Sequence, residues 1–351
     1  MNVFFFRTNW ALLLYILYTK DWENTFYCFN CANEVPDYFR NNNVKYFVYK
    51  RDSVSRAVPI KVVGRLVDEI RYLFFIKKMQ KQNGLHFFGD DDSILSKPFV
   101  GKDFVVVEDG LANYTPENVQ YLQKINLLGH DCKYKVMGFD PIITKVLLSG
   151  AFVVPSILEK KAITVNVKKL WQEKSEKEKT KILSVFNITE EELKKYRADY
   201  VLLTQNYDSY NVNTRENEFS RYQKILKNYP FGKVMIKPHP ASTFNYKRYF
   251  PDYKVIPQGI PFELMALYNE YKVLICINST AAFSIPGDKQ VDLYDLEGVL
   301  WKRYEITQGR KLRVEELKML IPIVNTPPFS IRRFVRKLRN IILKKIVWNL
   351  D

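Results

Sequence analysis

Long hydrophobic runs are missing from this chain. The longest strongly apolar run, Ala11 to Tyr18 (ALLLYILY), is far shorter than the about 20 residues that a membrane-spanning helix needs. The N-terminal residues MNVFFFRTNW lack the basic start and the small-residue cleavage site of a secretory leader. We therefore expect no transmembrane helix and a cytoplasmic location.

Cysteine and histidine are both scarce, with four and three residues in a chain of 351. So few cysteines exclude a disulfide scaffold. Cys28 and Cys31 form a CxxC pair, but no second pair lies near it in the sequence to complete a zinc site. We expect reduced thiols and no zinc.

Acidic residues are outnumbered by basic ones, 38 against 54, which leaves a formal net charge of +16. So basic a chain is expected to bind something anionic: nucleic acid, a membrane surface or a phosphorylated substrate. The sequence contains no recognised motif for reading nucleic acid, and the positive charge concentrates at the C-terminal end. Nucleic acid is therefore the less favoured partner.

The C-terminal segment 331–350 (IRRFVRKLRNIILKKIVWNL) carries seven basic residues between Arg332 and Lys345 and no acidic one among them. Phe334, Leu338 and Ile341 recur at helical spacing, so one face of the predicted helix is mostly apolar. A basic amphipathic helix is typical of peripheral contact with anionic lipid. We expect contact with the inner face of the cell membrane; the alternative is a terminal helix that packs on the fold.

Strand-like runs alternate with helical patterns, which predicts an α/β fold with mainly parallel sheets. In the first half we expect helices from Trp10 and over 65–80, and strands at 3–6, 44–49, 85–88, 104–108 and 152–155. In the second half we expect helices at 219–228 and 261–268, and strands at 200–204, 233–237, 253–256 and 273–277.

The chain length predicts two domains at about 100–200 residues each. A stretch dense in lysine and glutamate, 168–197, separates the two series of strands and contains a capping box at Thr189 and Glu192. We expect a first domain over 1–155 and a second over 156–330, with 156–198 as a charged helical junction. The remaining residues, 331–351, form the basic helix.

Three motifs directly follow predicted strands, and ligands of parallel α/β sheets bind outside the carboxyl ends of the strands. The acidic pair of 108–110 (EDG) can supply a general base, because adjacent carboxylates repel and one pKa rises. The histidine of 237–240 (KPHP) is held between prolines and can bind a phosphate or donate a proton. The hydroxyls of 278–280 (NST) can bind an anion. Each motif alone also suits an ordinary turn or helix cap, but together they predict a cleft between two domains.

The order and spacing of these motifs resemble the bacterial sialyltransferases of the GT-B type, which carry an acid–acid–glycine, a His-Pro and a Ser/Thr-Ser/Thr motif in that order. The wider context VVVEDGLANY, VLLTQNY, KVMIKPHP, PFELM and LICINST is most similar to glycosyltransferase family 52, which includes lipooligosaccharide sialyltransferases. The resemblance extends over roughly residues 1 to 300. It implies the GT-B fold: two Rossmann-like domains with mainly parallel sheets that face a central cleft.

The family resemblance implies an inverting transfer of sialic acid from CMP-sialic acid, without metal or cofactor, to a hydroxyl of a cell-surface glycan. The expected acceptor hydroxyl belongs to galactose in lipooligosaccharide or capsule. Asp109 would be the general base, and His239 would contact the donor phosphate and help the nucleotide leave. The acceptor side would include Thr8, Glu108 and Gly110. The residues implied for donor binding are Lys237, Pro238, Glu263 (on the ribose hydroxyls of CMP), Asn278, Ser279 and Thr280.

Several alternatives stay open at this point. Chains of this type often have Thr-Pro at the first strand–helix turn, whereas Thr8 is followed by Asn9, which weakens the expected contacts there. Some related enzymes transfer other sugars, so a hexose donor is an alternative. Residues 90–92 (DDD) could form a DxD metal site for a nucleotide diphosphate sugar, or simply an acidic turn before Ser93. The sequence does not fix the oligomeric state, and a homodimer is one of the alternatives.

Overall fold

A computed structural model describes most of the chain before residue 317. The described residues are 1–30, 35–49, 70–93, 95–101, 103–116, 121–125, 131–205, 215–277, 279–285, 289–295 and 311–316. The predictions for Cys31, the start of the helix at 65–69, Asn278 and the segment 331–350 lie outside these ranges. Within the described ranges, no helix combines the length and the hydropathy needed to cross a membrane.

The first part of the chain forms a parallel sheet. Its elements, with one hairpin, are β1 (Asn2–Phe5), β2 (Phe26–Asn30), β3 (Tyr46–Tyr49), β4 (His86–Gly89), β5 (Phe104–Val107), β6 (Tyr121–Ile125), β7 (Asp131–Lys135), β8 (Lys145–Leu148) and β9 (Ala162–Thr164). The sheet has the order β3-β2-β1-β4-β5-β8-β9, and every described pairing in it is parallel. The antiparallel pair β6–β7 stands apart from it. Because helices cover both faces of such sheets, their strands are continuously apolar, as FVVV of β5 is.

The second part of the chain repeats this topology. Its strands are β10 (Tyr200–Leu203), β11 (Val234–Lys237), β12 (Lys254–Val255), β13 (Val273–Cys276), β14 (Gln290–Asp295) and β15 (Lys311–Glu316). They lie in the order β12-β11-β10-β13-β14-β15 and pair in parallel. Both sheets therefore have the 3-2-1-4-5 order of doubly wound, nucleotide-binding folds.

The helices connect these strands. They are α1 (Asn9–Tyr18), α2 (Asp37–Asn41), α3 (described residues 70–80), α4 (Val167–Gln172), α5 (Glu176–Val185), α6 (Glu190–Lys194), α7 (Arg215–Leu226), α8 (Tyr246–Tyr249), α9 (Phe262–Tyr268) and α10 (Ala281–Ser284). Helix α1 starts where Thr8 Oγ1 accepts a hydrogen bond of 3.2 Å from the backbone N–H of Ala11. Its residues Trp10 to Leu17 are all buried, so α1 is an interior helix that fixes the end of β1.

Helices α4, α5 and α6 lie between the two sheets in the chain and contact both parts of the protein. Lys181 of α5 donates to Glu23 at 2.7 Å, which ties α5 to the first part. Trp171 of α4 packs on Tyr268 of α9, with ring centroids 5.4 Å apart, which ties α4 to the second part. Thr189 forms its predicted capping box with Glu192 at the start of α6. One hydrophobic core includes residues of both sheets, so the two parts are packed together.

Most predicted elements are confirmed within one to four residues at their ends, and one is wrong. Residues 152–155 do not form a strand, since Phe152 makes only an isolated bridge. Its ring instead packs against Tyr114 and Phe283, with centroids 5.2 Å and 5.3 Å apart. The strand that continues the sheet here is β8, which the sequence analysis did not identify.

Candidate active site

The candidate site is formed by loops that follow the carboxyl ends of strands in both sheets. In each sheet the chain order reverses beside the first strand, between β1 and β4 and between β10 and β13. Ligands of doubly wound folds bind at such switch points. Thr8 follows β1, Asp109 follows β5, His239 follows β11 and Thr280 follows β13, so the predicted residues lie at this edge of the two sheets.

Asp109 presents a carboxylate that is held from two sides. Its Oδ1 accepts a hydrogen bond of 2.8 Å from the Thr8 hydroxyl, and its Oδ2 lies 3.2 Å from Nε of Arg7. The backbone N–H of Asp109 donates to Asn113 Oδ1 at 2.9 Å, which fixes the turn. Burial and the negative charge of Asp90 raise the pKa of Asp109 to about 7, although Arg7 opposes this. An oriented carboxyl group with a near-neutral pKa is suited to general-base chemistry.

Arg7 is a site residue that the sequence analysis missed. Besides Asp109, its guanidinium contacts Asp90 through Nη1 at 2.7 Å and Asp92 through Nη1 at 3.0 Å. These partners lie 83 and 85 residues further along the chain, so no local pattern shows the contacts. The signal that could have located Arg7 is its position directly before Thr8 at the carboxyl end of β1.

Glu108, expected on the acceptor side, has its carboxylate in the interior. Its Oε1 accepts from Trp10 Nε1 at 3.2 Å and from the Ser149 hydroxyl at 3.0 Å. Its Oε2 accepts from the Tyr114 hydroxyl at 2.8 Å and from the backbone N–H of Ser149 at 2.6 Å. Burial raises the pKa of Glu108, while these four donors oppose the rise. We interpret Glu108 as the anchor that holds the EDG turn against the core.

Gly110 brings the acidic motif of the first sheet against the hydroxyl motif of the second. A Cβ atom on Gly110 would lie 3.4 Å from Oγ1 of Thr280. The backbone of Gly110 has φ 135° and ψ −148°, a conformation that a side chain disfavours. Ser279 lies beside Thr280 in the same loop and is half-buried. The EDG and Ser-Thr motifs, 170 residues apart in the sequence, thus lie next to each other in the fold.

The KPHP loop holds His239 in a defined orientation. The backbone N–H of His239 donates to Thr204 Oγ1 at 3.0 Å, and its ring Nδ1 accepts from the backbone N–H of Ala241 at 3.1 Å. Because Nδ1 is an acceptor, the neutral ring carries its proton on Nε2. Burial and the charge of Lys237 lower the pKa of His239. The neutral ring can therefore donate a hydrogen bond from Nε2 to a ligand.

Gln258 holds this loop through contacts with its backbone carbonyl oxygens, and the sequence motifs did not indicate this residue. Its Nε2 lies 2.8 Å from the carbonyl oxygens of His239 and Pro240 and 2.7 Å from that of Ser242. These carbonyls are 16 to 19 residues earlier in the chain, and a glutamine after β12 carries no motif that would mark it. The amide therefore fixes the backbone on which the His239 ring is carried.

Lys237 and Glu263 are buried charged residues behind the histidine. The Lys237 ammonium donates to the carbonyl oxygen of Pro238 at 2.7 Å and to that of Gln258 at 3.2 Å. Burial lowers the pKa of Lys237 to about 8, although the charge of Glu263 opposes this. Glu263 lies in the first turn of α9, and burial raises its pKa. The pair places opposite charges at the edge of the second sheet.

The three carboxylates of the acidic turn 90–92 all have partners within the protein. Asp90 and Asp92 contact Arg7, and Asp91 accepts backbone hydrogen bonds from Met137 at 2.7 Å and Gly138 at 2.9 Å. Across the part of the chain that the structure describes, no cluster of His, Cys, Asp or Glu has the arrangement of metal ligands. The Cys28 thiol is free and buried, and burial raises its pKa.

Comparison with known sequences identifies a family. The model of glycosyltransferase family 52 matches residues 66–298 of this chain. An uncharacterised protein of Haemophilus influenzae is 29% identical over 237 residues, which are 63% of this chain and 76% of that protein. The family match includes the EDG, KPHP and NST motifs.

Comparison with solved structures identifies the fold. The GT-B domain of a sialyltransferase from Photobacterium damselae is similar with a TM-score of 0.52 and 14% identity, over 85% of this chain and 92% of that one. A second structure of the sialyltransferase from this organism has a TM-score of 0.52 and 15% identity, over 85% and 75% of the two chains. The likeness confirms the predicted GT-B fold.

Proposed function

Because the chain belongs to glycosyltransferase family 52, and is therefore a glycosyltransferase, we propose that it transfers sialic acid from CMP-sialic acid to a hydroxyl of a cell-surface glycan. The observation that carries the proposal is the close approach of Thr280 to Gly110, where an added Cβ would lie 3.4 Å from the Thr280 hydroxyl oxygen, so that a candidate base lies near a candidate phosphate-binding motif. The shared fold with the sialyltransferase of Photobacterium damselae supports this choice of donor. The proposed acceptor is a galactose of lipooligosaccharide or capsule.

Asp109 acts as the general base in this proposal. The acceptor alcohol has a pKa far above neutral, so a base must take its proton as the new bond forms. The carboxylate of Asp109 is oriented by Thr8 and Arg7, and its pKa of about 7 makes it more basic than an ordinary aspartate. The acceptor oxygen attacks the anomeric carbon on the face opposite to CMP, so the configuration inverts.

The second sheet binds the donor nucleotide. His239 donates from Nε2 to the phosphate of CMP, and the hydroxyls of Ser279 and Thr280 bind the same phosphate. Glu263 accepts hydrogen bonds from the ribose hydroxyls, and Lys237 keeps the KPHP backbone in place through its two carbonyl contacts. CMP leaves with a single diffuse charge on its phosphate, which such donors can stabilise without a metal ion.

The basic segment 331–350 adds a proposed membrane contact. Its sequence is that of a basic amphipathic helix, which suits a transferase whose acceptor is assembled at a membrane. Deletion of residues 331–351 should release the folded protein from liposomes that contain anionic lipid. Unchanged liposome binding of the deleted form would contradict this part of the proposal.

Donor binding tests the proposal directly. The purified protein is titrated with CMP and then incubated with CMP-sialic acid in the presence of EDTA, with UDP-hexoses as the comparison. We expect CMP to bind, slow CMP release from CMP-sialic acid, and weaker CMP binding for His239→Ala. Arg248→Ala, an exposed cation of the same half of the chain, is the matched control. Binding and turnover of a UDP-hexose instead would replace the proposed donor by a hexose donor.

A further inference from the structure

Four charged side chains form one cluster at the carboxyl ends of β1, β4 and β5. Arg7 lies at its centre and contacts Asp90 at 2.7 Å, Asp92 at 3.0 Å and Asp109 at 3.2 Å. The three strand ends that supply these residues are neighbours in the sheet, in the order β1, β4, β5. The cluster therefore joins the EDG turn to the acidic turn 90–92, whose function the proposed chemistry does not otherwise explain.

The cluster contains more negative than positive charge. Three carboxylates surround one guanidinium, and the side chains of Asp90 and Asp109 are only 2% and 13% exposed. Little water is available to screen them, so each carboxylate affects the others strongly. Burial raises the pKa of Asp109 most, the charge of Asp90 raises it further and that of Arg7 lowers it, while Asp92 adds a smaller rise.

The other groups around Asp109 are neutral or turn away from it. Thr8 donates its hydroxyl to Oδ1, and Thr280 of the second sheet approaches Gly110 with a hydroxyl. Glu108 places its carboxylate in the interior on Trp10 and Ser149. Asp91 turns to the backbone of Met137 and Gly138. Among charged groups, Asp90, Arg7 and Asp92 thus have the main effects on the pKa of Asp109.

We propose that Arg7 is a positioning residue that joins the base Asp109 to Asp90 and Asp92, so that the charge of the acidic turn controls the protonation of Asp109. This inference rests on the proposed function of Asp109 as the base. Arg7 orients Oδ2 and keeps the carboxylate ionised before the reaction. Asp90 and Asp92 make that carboxylate a stronger base than an isolated aspartate.

In the transfer step, the cluster takes up the proton that the acceptor hydroxyl loses. The acceptor O–H bond breaks and its proton goes to Asp109, while the acceptor oxygen forms a bond to the anomeric carbon. The bond from that carbon to the CMP phosphate oxygen breaks, and the electron pair leaves with CMP. Uptake of the proton reduces the negative charge of the cluster by one, which relieves the repulsion between Asp109 and Asp90.

Two substitutions should move the protonation of Asp109 in opposite directions. In Arg7→Met the carboxylate loses its cation, so the midpoint of its titration should move to higher pH by about one pH unit. In Asp90→Asn it loses a negative neighbour, so the midpoint should move to lower pH by a similar amount. Asp92→Asn, at a half-exposed side chain, should give a smaller shift in the same direction as Asp90→Asn.

The titration is measured by carbon-13 NMR of protein labelled at the aspartate carboxyl carbons. The resonance of Asp109 is assigned by its loss in Asp109→Asn. The pH profile of CMP release from CMP-sialic acid is recorded in parallel. The matched controls are Arg40→Met and Asp37→Asn, which break an exposed ion pair of 2.8 Å on α2. Both controls should leave the Asp109 titration and the pH profile unchanged.

The two readouts separate failure of this inference from failure of the proposed function. Opposite shifts in the NMR titration support the inference, and matching shifts in the rising limb of the rate profile link it to catalysis. Equal titration midpoints in wild type, Arg7→Met and Asp90→Asn would overturn it. If the protein releases no CMP but the Asp109 titration midpoint still shifts in opposite directions in the two variants, the proposed function is contradicted. The coupling of Asp109 to Arg7 and Asp90 is then still supported. If Asp90→Asn does not fold, Asp92→Asn gives the same comparison.

Discussion

Replacement of Glu108 by glutamine tests whether this carboxylate anchors the EDG turn or takes part in the reaction. Its two oxygens accept from four donors, and two of these, Trp10 Nε1 and the backbone N–H of Ser149, cannot rotate to become acceptors. The two fixed donors face different oxygens of Glu108. A glutamine has a single oxygen, so either orientation of its amide leaves one buried N–H facing an NH2 group.

An unsatisfied buried donor costs about 1–3 kcal/mol. A loss of ~2 kcal/mol in the free energy of unfolding lowers Tm by about 4–8 °C in a domain of about 150–250 residues. We expect this drop for Glu108→Gln in thermal unfolding followed by circular dichroism near neutral pH. The exposed Glu159→Gln is the matched control and should leave Tm unchanged. CMP binding by the folded variant should stay close to that of the wild type.

The opposite pattern would refute this reasoning. If Glu108→Gln keeps the wild-type Tm but loses turnover by orders of magnitude, the carboxylate acts in the chemistry and its four contacts do not define its role. A parallel loss of Tm and of turnover, with turnover regained at lower temperature, agrees with an anchor.

The remaining predictions concern three further contacts. Gly110→Ala places a side chain at φ 135° against Thr280, so it should lower the free energy of unfolding by about 1–3 kcal/mol and reduce turnover. Gly232→Ala, at φ 80° in open space, should lower the stability measured by thermal unfolding to a smaller extent. Gln258→Ala removes the amide that contacts three carbonyl oxygens of the KPHP loop, so it should weaken CMP binding about tenfold, as measured by calorimetry. Equal CMP affinity of the variant and the wild type would contradict this role of Gln258. Burial raises the pKa of Asp91 to about 7, so its ionisation opposes folding and its contribution to stability is lost as pH rises from ~4 through ~7. At pH ~5, Asp91→Asn should therefore be less stable than wild type, because one backbone N–H of Met137 or Gly138 loses its acceptor. Denaturant unfolding should show that this difference in unfolding free energy shrinks by pH ~8.

The strand ends of the site could be predicted because buried parallel strands have a clear sequence pattern. FVVV before Glu108 and VMI before Lys237 are apolar runs that are followed by a charged residue and then by Asp-Gly or Pro. Strands β2 (FYCFN) and β8 (KVLL) contain apolar runs of similar length, but a short apolar run alone does not distinguish a strand from a buried helix segment, so neither strand was identified. Phe152 shows the reverse case, since its apolar segment predicts a strand, whereas the Phe152 ring packs against Tyr114 and Phe283 and the segment forms no strand.

The contacts that hold the site residues could not be predicted from the sequence. Arg7 and its partners are more than 80 residues apart, and only the neighbouring positions of β1, β4 and β5 bring them together. The burial of Glu108 depends on Trp10 and Ser149, which reach it from α1 and from the end of β8. Sequence motifs thus identify which residues end the strands, whereas the topology decides which of their side chains touch.

The most direct test of the account is the transfer reaction itself with Asp109→Asn. Wild-type protein and the variant are incubated with CMP-sialic acid and a galactoside acceptor in the presence of EDTA, and the sialylated product is measured together with CMP binding. We expect product with inverted anomeric configuration for the wild type. For Asp109→Asn we expect a loss of turnover by several orders of magnitude, with CMP affinity almost unchanged. Near-normal turnover of Asp109→Asn would contradict its assignment as the base.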